Sequence, residues 1–245
     1  MDCIHYCSSS QIAGNKKYIQ ESPKRLLTFF CTPMGWILTS VIRKKTKNEL
    51  IGKGYMIPKK IHYCWFGKKE KSKMAQKCIA SWKKYCSDYE LIEWNEDNFN
   101  IFMNPYTKKC YDDKKFAFLS DYVRLVVIEA NGGIYFDTDV EVVKSFDDLL
   151  DCKAFFGFET NEYVNTGVGF GAEAHNPAII QMLKEYEPLL DGRQGIIGCP
   201  HLNTKALIKC GLKKNGQKQD LKDASVFPAE YFNPYDAPTG KLNKK

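Results

Sequence analysis

Two aspartates separated by a single residue follow a short apolar stretch near the middle of the chain. In the sequence GGIYFDTD, Asp137 and Asp139 come directly after the apolar residues 134–136. Side chains two positions apart in an extended segment point to the same side, so we expect both carboxylates to face one spot. Two carboxylates suit a hard divalent cation that keeps open positions for phosphate oxygens. The triplet therefore predicts a metal-bridged diphosphate site, although surface turns also produce Asp-x-Asp.

A third carboxylate and a guanidinium precede this triplet in a segment with helical spacing. Asp121 and Arg124 are three residues apart, so on a helix they are neighbours on one face. The opposite face, which includes Leu119 and Val123, is apolar and should pack on a sheet. An exposed ion pair of this spacing contributes only about a few tenths of a kcal/mol. A helix this apolar has little exposed face, so a role in the site is the alternative to a surface ion pair.

The elements around these residues alternate between strand-like and helix-like patterns from about residue 57 onward. Such alternation is typical of a layered α/β domain, and ligand sites in these domains lie where strands end. The predicted strands are 59–66, 89–94, 134–136, 154–159 and 167–172; the predicted helices are 71–86, about 115–130, and one that starts near Asn176 and Pro177. Asn131, Gly132 and Gly133 form a helix stop before the strand that leads into Asp137.

Four further side chains have types that could serve a catalytic or binding site. Trp65 leaves the first strand, where a flat apolar ring could stack on a base or simply pack in the core. His201 could be a base, but a histidine at a helix start is more often a cap or surface residue. We expect His62, within the first strand, to be a core histidine rather than a ligand. Glu159 ends a strand and could meet an acceptor.

Charge and cysteine usage narrow the class of protein. The net charge is +7, but residues 1–60 hold 11 Lys or Arg against 3 Asp or Glu, so the remainder of the chain is nearly neutral. An enzyme of nucleic acid is expected to carry its positive field on the catalytic body, so we expect no nucleic-acid partner. Ten cysteines are present without a CxxC pair, and residues 1–20 lack the apolar run of a signal peptide. We therefore expect reduced thiols and a cytoplasmic location.

The first 54 residues differ from the rest, which we expect to form one domain over residues 55–245. Residues 26–42 are free of charge and are flanked by basic residues within 24–47. This run is interrupted by Pro33 and Gly35 and is shorter than the roughly 20 apolar residues of a spanning helix. Two alternatives follow: the segment lies on an anionic, cytoplasmic membrane face, or it packs as a helix on the body.

Three stretches together resemble a known family. IPKKIHYCWFG, FAFLSDYVRLVVIEANGGIYFDTDVEVV and NTGVGFGAEAHNP are similar to the sugar-binding-region glycosyltransferases with a DXD motif, family 32, which includes capsular-polysaccharide transferases and initiating mannosyltransferases. The resemblance extends from about Ile57 to Tyr235. It implies an α/β fold of the GT-A type, a Rossmann-like mixed sheet flanked by helices. It also implies a UDP- or GDP-sugar donor and a Mn²⁺ or Mg²⁺ cofactor.

The resemblance assigns roles to the residues that match its motifs. Asp137 and Asp139 match the metal and nucleotide-sugar motif, with Asp139 the firmer metal ligand and Asp137 also a donor-binding residue. Asp121 and Arg124 match the pair that holds donor-sugar and ribose hydroxyls and the diphosphate side, and we place both in the catalytic set. Trp65 resembles the aromatic that stacks on uracil in the related large clostridial toxin transferases.

Two later segments also match the family. Asn165, Thr166 and Gly167 resemble the segment that lines the donor-sugar pocket, and residues 196–207 resemble a Gly-x-Pro segment beside the acceptor cleft. Many relatives continue past YFNPYD into a His-rich stretch that ends in Ser-Trp, and this sequence has no such stretch before its last residue. We therefore expect the body to lack that closing element, which puts metal affinity and turnover in question.

The resulting expectation is a metal-dependent glycosyltransferase, an enzyme that moves a hexose to a sugar hydroxyl of a polysaccharide or lipid-linked glycan with retention. Asp121, Arg124, Asp137 and Asp139 would be its catalytic residues. The alternative is a catalytically silent protein of the same fold that binds a nucleotide sugar or a partner. A membrane-tethered basic adaptor with a purely structural body is a further alternative.

Overall fold

The computed structural model describes residues 17–19, 56–233, 235–236 and 241–242. The predicted N-terminal appendage, residues 1–54, lies outside the described residues except for one short strand, so its two alternatives stay open. The strands are β1 Lys17–Ile19, β2 Lys60–Cys64, β3 Glu90–Trp94, β4 Gly133–Tyr135, β5 Val140–Val142, β6 Ala154–Gly157, β7 Phe170–Ala172, β8 Gln219–Asp220, β9 Ser225–Phe227, β10 Tyr235–Asp236 and β11 Lys241–Leu242. The helices are α1 Lys73–Tyr85, α2 Pro105–Asp112, α3 Phe116–Asn131, α4 Pro177–Tyr186, α5 Cys199–Lys209 and α6 Ala229–Phe232.

Seven strands form the central mixed sheet in the order β3-β2-β4-β7-β6-β9-β8. β2 is parallel to both of its neighbours, β3 and β4, whereas β7 is antiparallel to β4. The carboxyl ends of β3, β2 and β4 therefore meet at one edge of the sheet, and the amino end of β7 lies at the same edge. Two further strand pairs, β1 with β5 and β10 with β11, stand apart from this sheet.

The sheet separates two apolar layers because side chains alternate along each strand. On β2, Ile61 and Tyr63 belong to one core cluster, and Cys64 belongs to the other. On β6, Phe155 and Phe156 divide between the clusters in the same way. Helix α1 contributes Cys78, Ile79 and Trp82 to the first cluster, whereas helices α2 to α5 contribute to the second. This arrangement is the α/β mixed sheet flanked by helices that the GT-A expectation requires.

Local sequence signals account for most helix boundaries. Ser72 caps α1, with its hydroxyl accepting a hydrogen bond from the Ala75 N–H at 3.1 Å. Asn176 caps α4 in the same manner, and Pro177 follows at the first helical position, as predicted. Helix α3 ends at Asn131, and Gly132 and Gly133 follow with φ of 62° and 110°, which confirms the predicted stop.

The predicted list of elements had one strand that was too long and lacked several elements. The predicted strand 167–172 is shorter than expected, because residues 166–168 form a 3₁₀ turn and β7 begins at Phe170. Helix α2 and strands β5, β8 and β9 were not predicted. Helix α2 has Asn104 as its N-cap and Pro105 at its first position, and these two residues could have predicted the start of the helix. The two- and three-residue strands offer too few residues for periodicity to be recognised.

The described part of the chain contains no helix that is long and apolar enough to cross a membrane. Its cysteines are free thiols: Cys64, Cys78, Cys86, Cys110 and Cys199 are buried, and Cys152 and Cys210 are partly buried.

Candidate active site

Arg124 is the centre of the predicted cluster and lies almost completely inside the protein. Its side chain is 2% exposed, and Nη2 contacts Asp121 Oδ1 at 2.8 Å and Asp137 Oδ1 at 3.1 Å. Its Nε donates a hydrogen bond to the Ser120 carbonyl at 3.0 Å. The two predicted segments, helix α3 and the end of β4, are therefore joined through one guanidinium. The alternative of an exposed surface ion pair is wrong for Asp121 and Arg124, because the helix face that carries Arg124 is turned inward.

The charge of this arginine is secured by its surroundings. Burial disfavours the charged form, but the carboxylates of Asp137 and Asp121 outweigh burial and raise the pKa of Arg124 well above its ordinary value. The guanidinium also lies over the Tyr135 ring, with Cζ 4.8 Å from the ring centre. Tyr135 in turn donates a hydrogen bond from its hydroxyl to Asp137 Oδ1 at 3.2 Å. A fixed positive charge thus faces two carboxylates in a largely dry setting.

One nitrogen of this guanidinium forms no hydrogen bond with the described part of the protein. Nη1 of Arg124 is buried and has no hydrogen-bond partner among residues 56–233. A buried polar group without a partner is unfavourable, so such atoms are often completed by water or a ligand. Nη1 is therefore an available donor for an oxygen of a bound anion or sugar.

Asp139 lies in a turn rather than in an extended segment. β4 ends at Tyr135, and the Val140 N–H donates to the Asp137 carbonyl at 3.0 Å, which closes a four-residue turn. Strand alternation was therefore the wrong reason to expect that the two carboxylates face one spot, because the strand ends before Asp137. Oδ1 of Asp139 is nevertheless buried and has no hydrogen-bond partner in the described part of the chain.

The segment 165–167 reaches the same cluster from β7. Because β7 runs antiparallel to β4, with Tyr135 opposite Phe170, the residues before Phe170 lie beside the residues after Tyr135. A Cβ built at Gly167 would be 2.6 Å from Asp137 Oδ2 and 3.2 Å from Arg124 Nη1. Glycine is needed here for close approach, and the structure thus brings the third predicted segment to the first two.

Helix α5 holds this segment in place from behind. Asn203 Nδ2 donates to Thr166 Oγ1 at 2.9 Å, and the Cys199 thiol donates to Asn165 Oδ1 at 3.5 Å. Asn165 Oδ1 also accepts from the Gly167 N–H at 2.6 Å. The pKa of Cys199 is raised well above its ordinary value, first by burial and then by the nearby Asp121 carboxylate, so this thiol stays protonated. Asn165 and Thr166 are therefore both hydrogen-bonded to α5, and both are buried.

Trp65 lies at the same sheet edge, directly after β2. Its backbone N–H donates to the Trp94 carbonyl at 2.9 Å, and its indole N–H donates to the Lys69 carbonyl at 2.6 Å. The side chain is partly exposed and belongs to neither core cluster. Plain core packing is thus not its role, and stacking on a base stays a prediction.

The contacts observed for the remaining candidates are with residues other than Arg124, Asp121 and Asp137. His62 is fully buried: Trp94 Nε1 donates to its Nδ1 at 3.0 Å, and its Nε2 bonds the Gly132 carbonyl at 3.0 Å. Burial lowers the pKa of His62 to about 4, which confirms a neutral core histidine. His201 is exposed in the first turn of α5, edge-on to Tyr163. Glu159 lies in a turn in which its N–H donates to the Tyr163 carbonyl at 2.7 Å.

Three residues that touch the cluster were not singled out from the sequence. Tyr135 shares its side of the chain with Asp137 by strand alternation, so it could have been found. Cys199 and Asn203 are four apart and therefore share one face of α5, but nothing in the sequence tells which face meets residue 165. Only the sheet order supplies that contact.

A divalent cation is compatible with the carboxylates at this edge. Within the described ranges, no group of three or more His, Cys, Asp or Glu side chains is arranged to hold a metal. Asp139 Oδ1, however, is a buried carboxylate oxygen without a hydrogen bond, and such an oxygen suits a hard cation. Asp137 and Asp139 therefore fit an ion that takes its other ligands from phosphate oxygens and water.

A protein family and a curated relative match parts of this chain. Residues 72–156 match the family described as "Glycosyltransferase sugar-binding region containing DXD motif", and this range contains Asp121, Arg124, Asp137 and Asp139. A 48-residue stretch is 44% identical to "Glucan organizing enzyme 1" of Cryptococcus neoformans var. grubii serotype A (strain H99), covering 20% of this chain and 13% of that protein. The chain thus spans only a small part of this curated relative.

Two solved structures are also similar. "PaToxG Glycosyltransferase" has a TM-score of 0.49 at 22% identity and covers 62% of this chain and 68% of that chain. A glycosyltransferase "involved in the glycosylation of the major capsid of PBCV-1" has a TM-score of 0.40 at 13% identity and covers 69% of this chain and 82% of that chain. The family match confirms the resemblance to DXD-motif glycosyltransferases, while family 32 in particular stays a prediction.

Proposed function

We propose that this chain, whose residues 72–156 match the DXD-motif glycosyltransferase sugar-binding region, moves a hexose from a UDP- or GDP-sugar to a sugar hydroxyl of a polysaccharide or lipid-linked glycan. The transfer is metal-dependent and retains the configuration at the anomeric carbon. The observation that carries the proposal is the buried Arg124, which joins Asp121 to the Asp of the DXD motif and keeps Nη1 unpaired.

Arg124 and Asp121 hold the donor sugar and its diphosphate. Nη1 of Arg124 donates to a phosphate or sugar oxygen, a contact that strengthens as negative charge builds on the leaving diphosphate. The Asp121 carboxylate accepts hydrogen bonds from sugar or ribose hydroxyls. Both groups are held in place by the ion pair at 2.8 Å, so little reorganisation accompanies binding.

The segment 165–167 and Trp65 complete the donor site. Asn165 and Thr166 are fixed by α5, and Gly167 lets the backbone approach the sugar closely. Trp65 offers a flat ring at the neighbouring strand end, where a base can stack. Base, diphosphate and sugar then follow the sheet edge from β2 to β4 and on to β7.

Asp139 and Asp137 are the residues that would hold the divalent cation, Mn²⁺ or Mg²⁺. DXD-motif glycosyltransferase domains usually bind such an ion, and the unpaired Asp139 Oδ1 supports the assignment here. When bound, the ion supplies positive charge that offsets the charge developing on the diphosphate. Tyr135 keeps Asp137 oriented through its hydroxyl.

Retention fits the absence of a dedicated base among the assigned residues. The observed partners of His62 and His201 include Gly132 and Tyr163, and Asp121 and Asp137 are held by Arg124. We propose attack of the acceptor hydroxyl on the face that the diphosphate leaves, with a leaving-group phosphate oxygen accepting the proton. The acceptor then needs no protein carboxylate as general base.

A thermal-shift panel of UDP- and GDP-sugars, with and without Mn²⁺, tests the proposal. A donor that binds the native state raises the melting temperature by mass action, so we expect a shift that depends on the metal. Slow release of free nucleotide from the bound donor then distinguishes an enzyme from a silent nucleotide-sugar binder. The absence of any shift across the panel would contradict the proposal.

The place of action is a separate proposal. We propose a cytoplasmic protein that contacts an anionic membrane surface through residues 24–47, whose basic residues flank an apolar run. Deletion of residues 1–54 should abolish sedimentation with vesicles that contain phosphatidylserine. Unchanged sedimentation of the deletion variant would refute the role of this segment.

A further inference from the structure

A lysine beside Trp65 supports an inference that rests on the proposed function and extends it to the base. Lys71 Nζ lies over the Trp65 ring, 5.8 Å from its centre, and forms an ion pair with Glu93 at 2.7 Å. The Lys71 side chain is 27% exposed, so a ligand can reach it. A cation thus lies against the ring on which the donor's base is proposed to stack.

The surroundings of Lys71 are ordered on both sides. The Gln76 amide donates to the Lys71 carbonyl at 2.8 Å, and the Trp65 indole donates to the Lys69 carbonyl at 2.6 Å. Glu93 accepts a hydrogen bond from the Tyr63 hydroxyl at 2.7 Å. Partial burial raises the pKa of Glu93, but the hydrogen bonds from Lys71 and Tyr63 outweigh burial and lower this pKa. The carboxylate is therefore charged at neutral pH. The ammonium group is therefore held at one place.

The order of the strands puts Lys71 at the end of the site that is remote from the carboxylates. Asp137 follows β4, Trp65 follows β2, and Glu93 lies on β3, in the strand order β3-β2-β4. Adjacent strands are about 4.8 Å apart, so Glu93 and Asp137 lie on opposite sides of Trp65. A nucleotide with its diphosphate near Asp137 and its base on Trp65 would place that base beside Lys71, whose Nζ lies 5.8 Å from the centre of the Trp65 ring.

We propose that Lys71 reads the base of the donor by donating a hydrogen bond to an exocyclic carbonyl oxygen. A lysine ammonium has three donors and no acceptor. Guanine has a carbonyl oxygen, O6, and the uracil ring has the same O4 acceptor as thymine, whereas cytosine and adenine present an amino donor at the corresponding position. Lys71 thus selects UDP and GDP over CDP and ADP, a selection that phosphate contacts at Asp137 and Arg124 do not supply.

Isothermal titration calorimetry on the full chain tests this inference with UDP, CDP and inorganic pyrophosphate in the presence of Mn²⁺. Lys71→Gln should weaken UDP binding about tenfold, because one charge-assisted hydrogen bond is lost. Binding of CDP and pyrophosphate should stay unchanged, and Lys71→Arg should retain most of the preference for UDP. Lys144→Gln is the matched control, since Lys144 forms a similar exposed ion pair with Asp148 at 2.6 Å.

Each contrary result has a distinct meaning. If Lys71→Gln weakens the binding of UDP and of pyrophosphate equally, Lys71 contacts the phosphates. If Lys71→Gln leaves UDP binding unchanged, Lys71 is only a structural partner of Glu93. Either outcome overturns the proposal that Lys71 contacts the base. A wild-type protein that binds CDP as tightly as UDP overturns it as well. A wild-type protein that binds none of the three ligands overturns the proposed function itself, whereas the preceding results leave that function intact.

Discussion

The contact between Gly167 and the charged cluster makes Gly167→Ala the sharpest single perturbation of the site. A Cβ at this position would lie 2.6 Å from Asp137 Oδ2, while an ordinary contact begins at 3.4 Å. The carboxylate must therefore retreat by about 0.8 Å, the difference between these two distances. Its retreat is opposed by Arg124 at 3.1 Å and by the Tyr135 hydroxyl at 3.2 Å.

The expected effect follows from these distances. A displacement of about 1 Å in a positioning group lowers the rate of an enzymatic reaction about 100-fold. Overpacking by one methyl group in a filled site costs about 1–3 kcal/mol of stability. We therefore expect Gly167→Ala to remain folded and to lose most of its kcat/KM.

The assay is Mn²⁺-dependent release of nucleotide from the donor that gives the largest thermal shift, together with urea unfolding. Gly195→Ala is the matched control, because a Cβ there would meet no heavy atom within 4 Å. We expect wild-type activity from the control. Full activity and full donor affinity in Gly167→Ala would refute the placement of this segment against Asp137.

Three further substitutions test the network around the site. Arg124→Met should lower the free energy of unfolding by about 2–3 kcal/mol in urea titrations, because two carboxylates lose their partner. The control is Arg193→Met, since Arg193 is exposed. Equal stability of the two variants would contradict the buried ion pair. Tyr135→Phe removes the hydrogen bond to Asp137 and should lower stability by about 1 kcal/mol and donor turnover less than tenfold; a loss as large as that of Gly167→Ala would assign the hydroxyl a direct role. His62→Gln tests pH dependence: because the folded pKa of His62 is about 4, the unfolded chain binds its proton first as pH falls, and wild-type stability should drop by about 2–3 kcal/mol between pH 7 and pH 4.5. The pH dependence of the unfolding free energy should be shallower by that amount in the variant, and an unchanged slope would contradict a neutral buried histidine.

Sequence patterns were sufficient for the layers and for the main cluster. Helix α3 has an apolar face, ends before Gly132 and Gly133, and is followed directly by strand β4. These neighbouring segments are enough to predict that the chain passes from the helix into the sheet. This connection brings Asp121 and Arg124 to Asp137 without any distant contact. The same reasoning placed Trp65 at the carboxyl end of β2, at the shared edge.

The turn at Asp137–Val140 was beyond the reach of such patterns. Alternation predicts the direction of a side chain only while the strand continues, and β4 has just three residues. The contact of Gly167 with Asp137 depends on β7 pairing antiparallel to β4, a non-local choice that no local signal encodes. The position of Lys71 over Trp65 likewise depends on Glu93, which is presented by the neighbouring strand β3.

We propose that Asp139 and Asp137 hold a divalent cation with a diphosphate beside Arg124. Electron paramagnetic resonance of Mn²⁺ measures this directly, because the signal of the free aqueous ion decreases as the ion binds. Relative to Mn²⁺ and UDP without protein, we predict that the wild-type protein lowers the free Mn²⁺ signal further and that Asp139→Asn does not. Equal Mn²⁺ binding by the wild type and Asp139→Asn would contradict the claim.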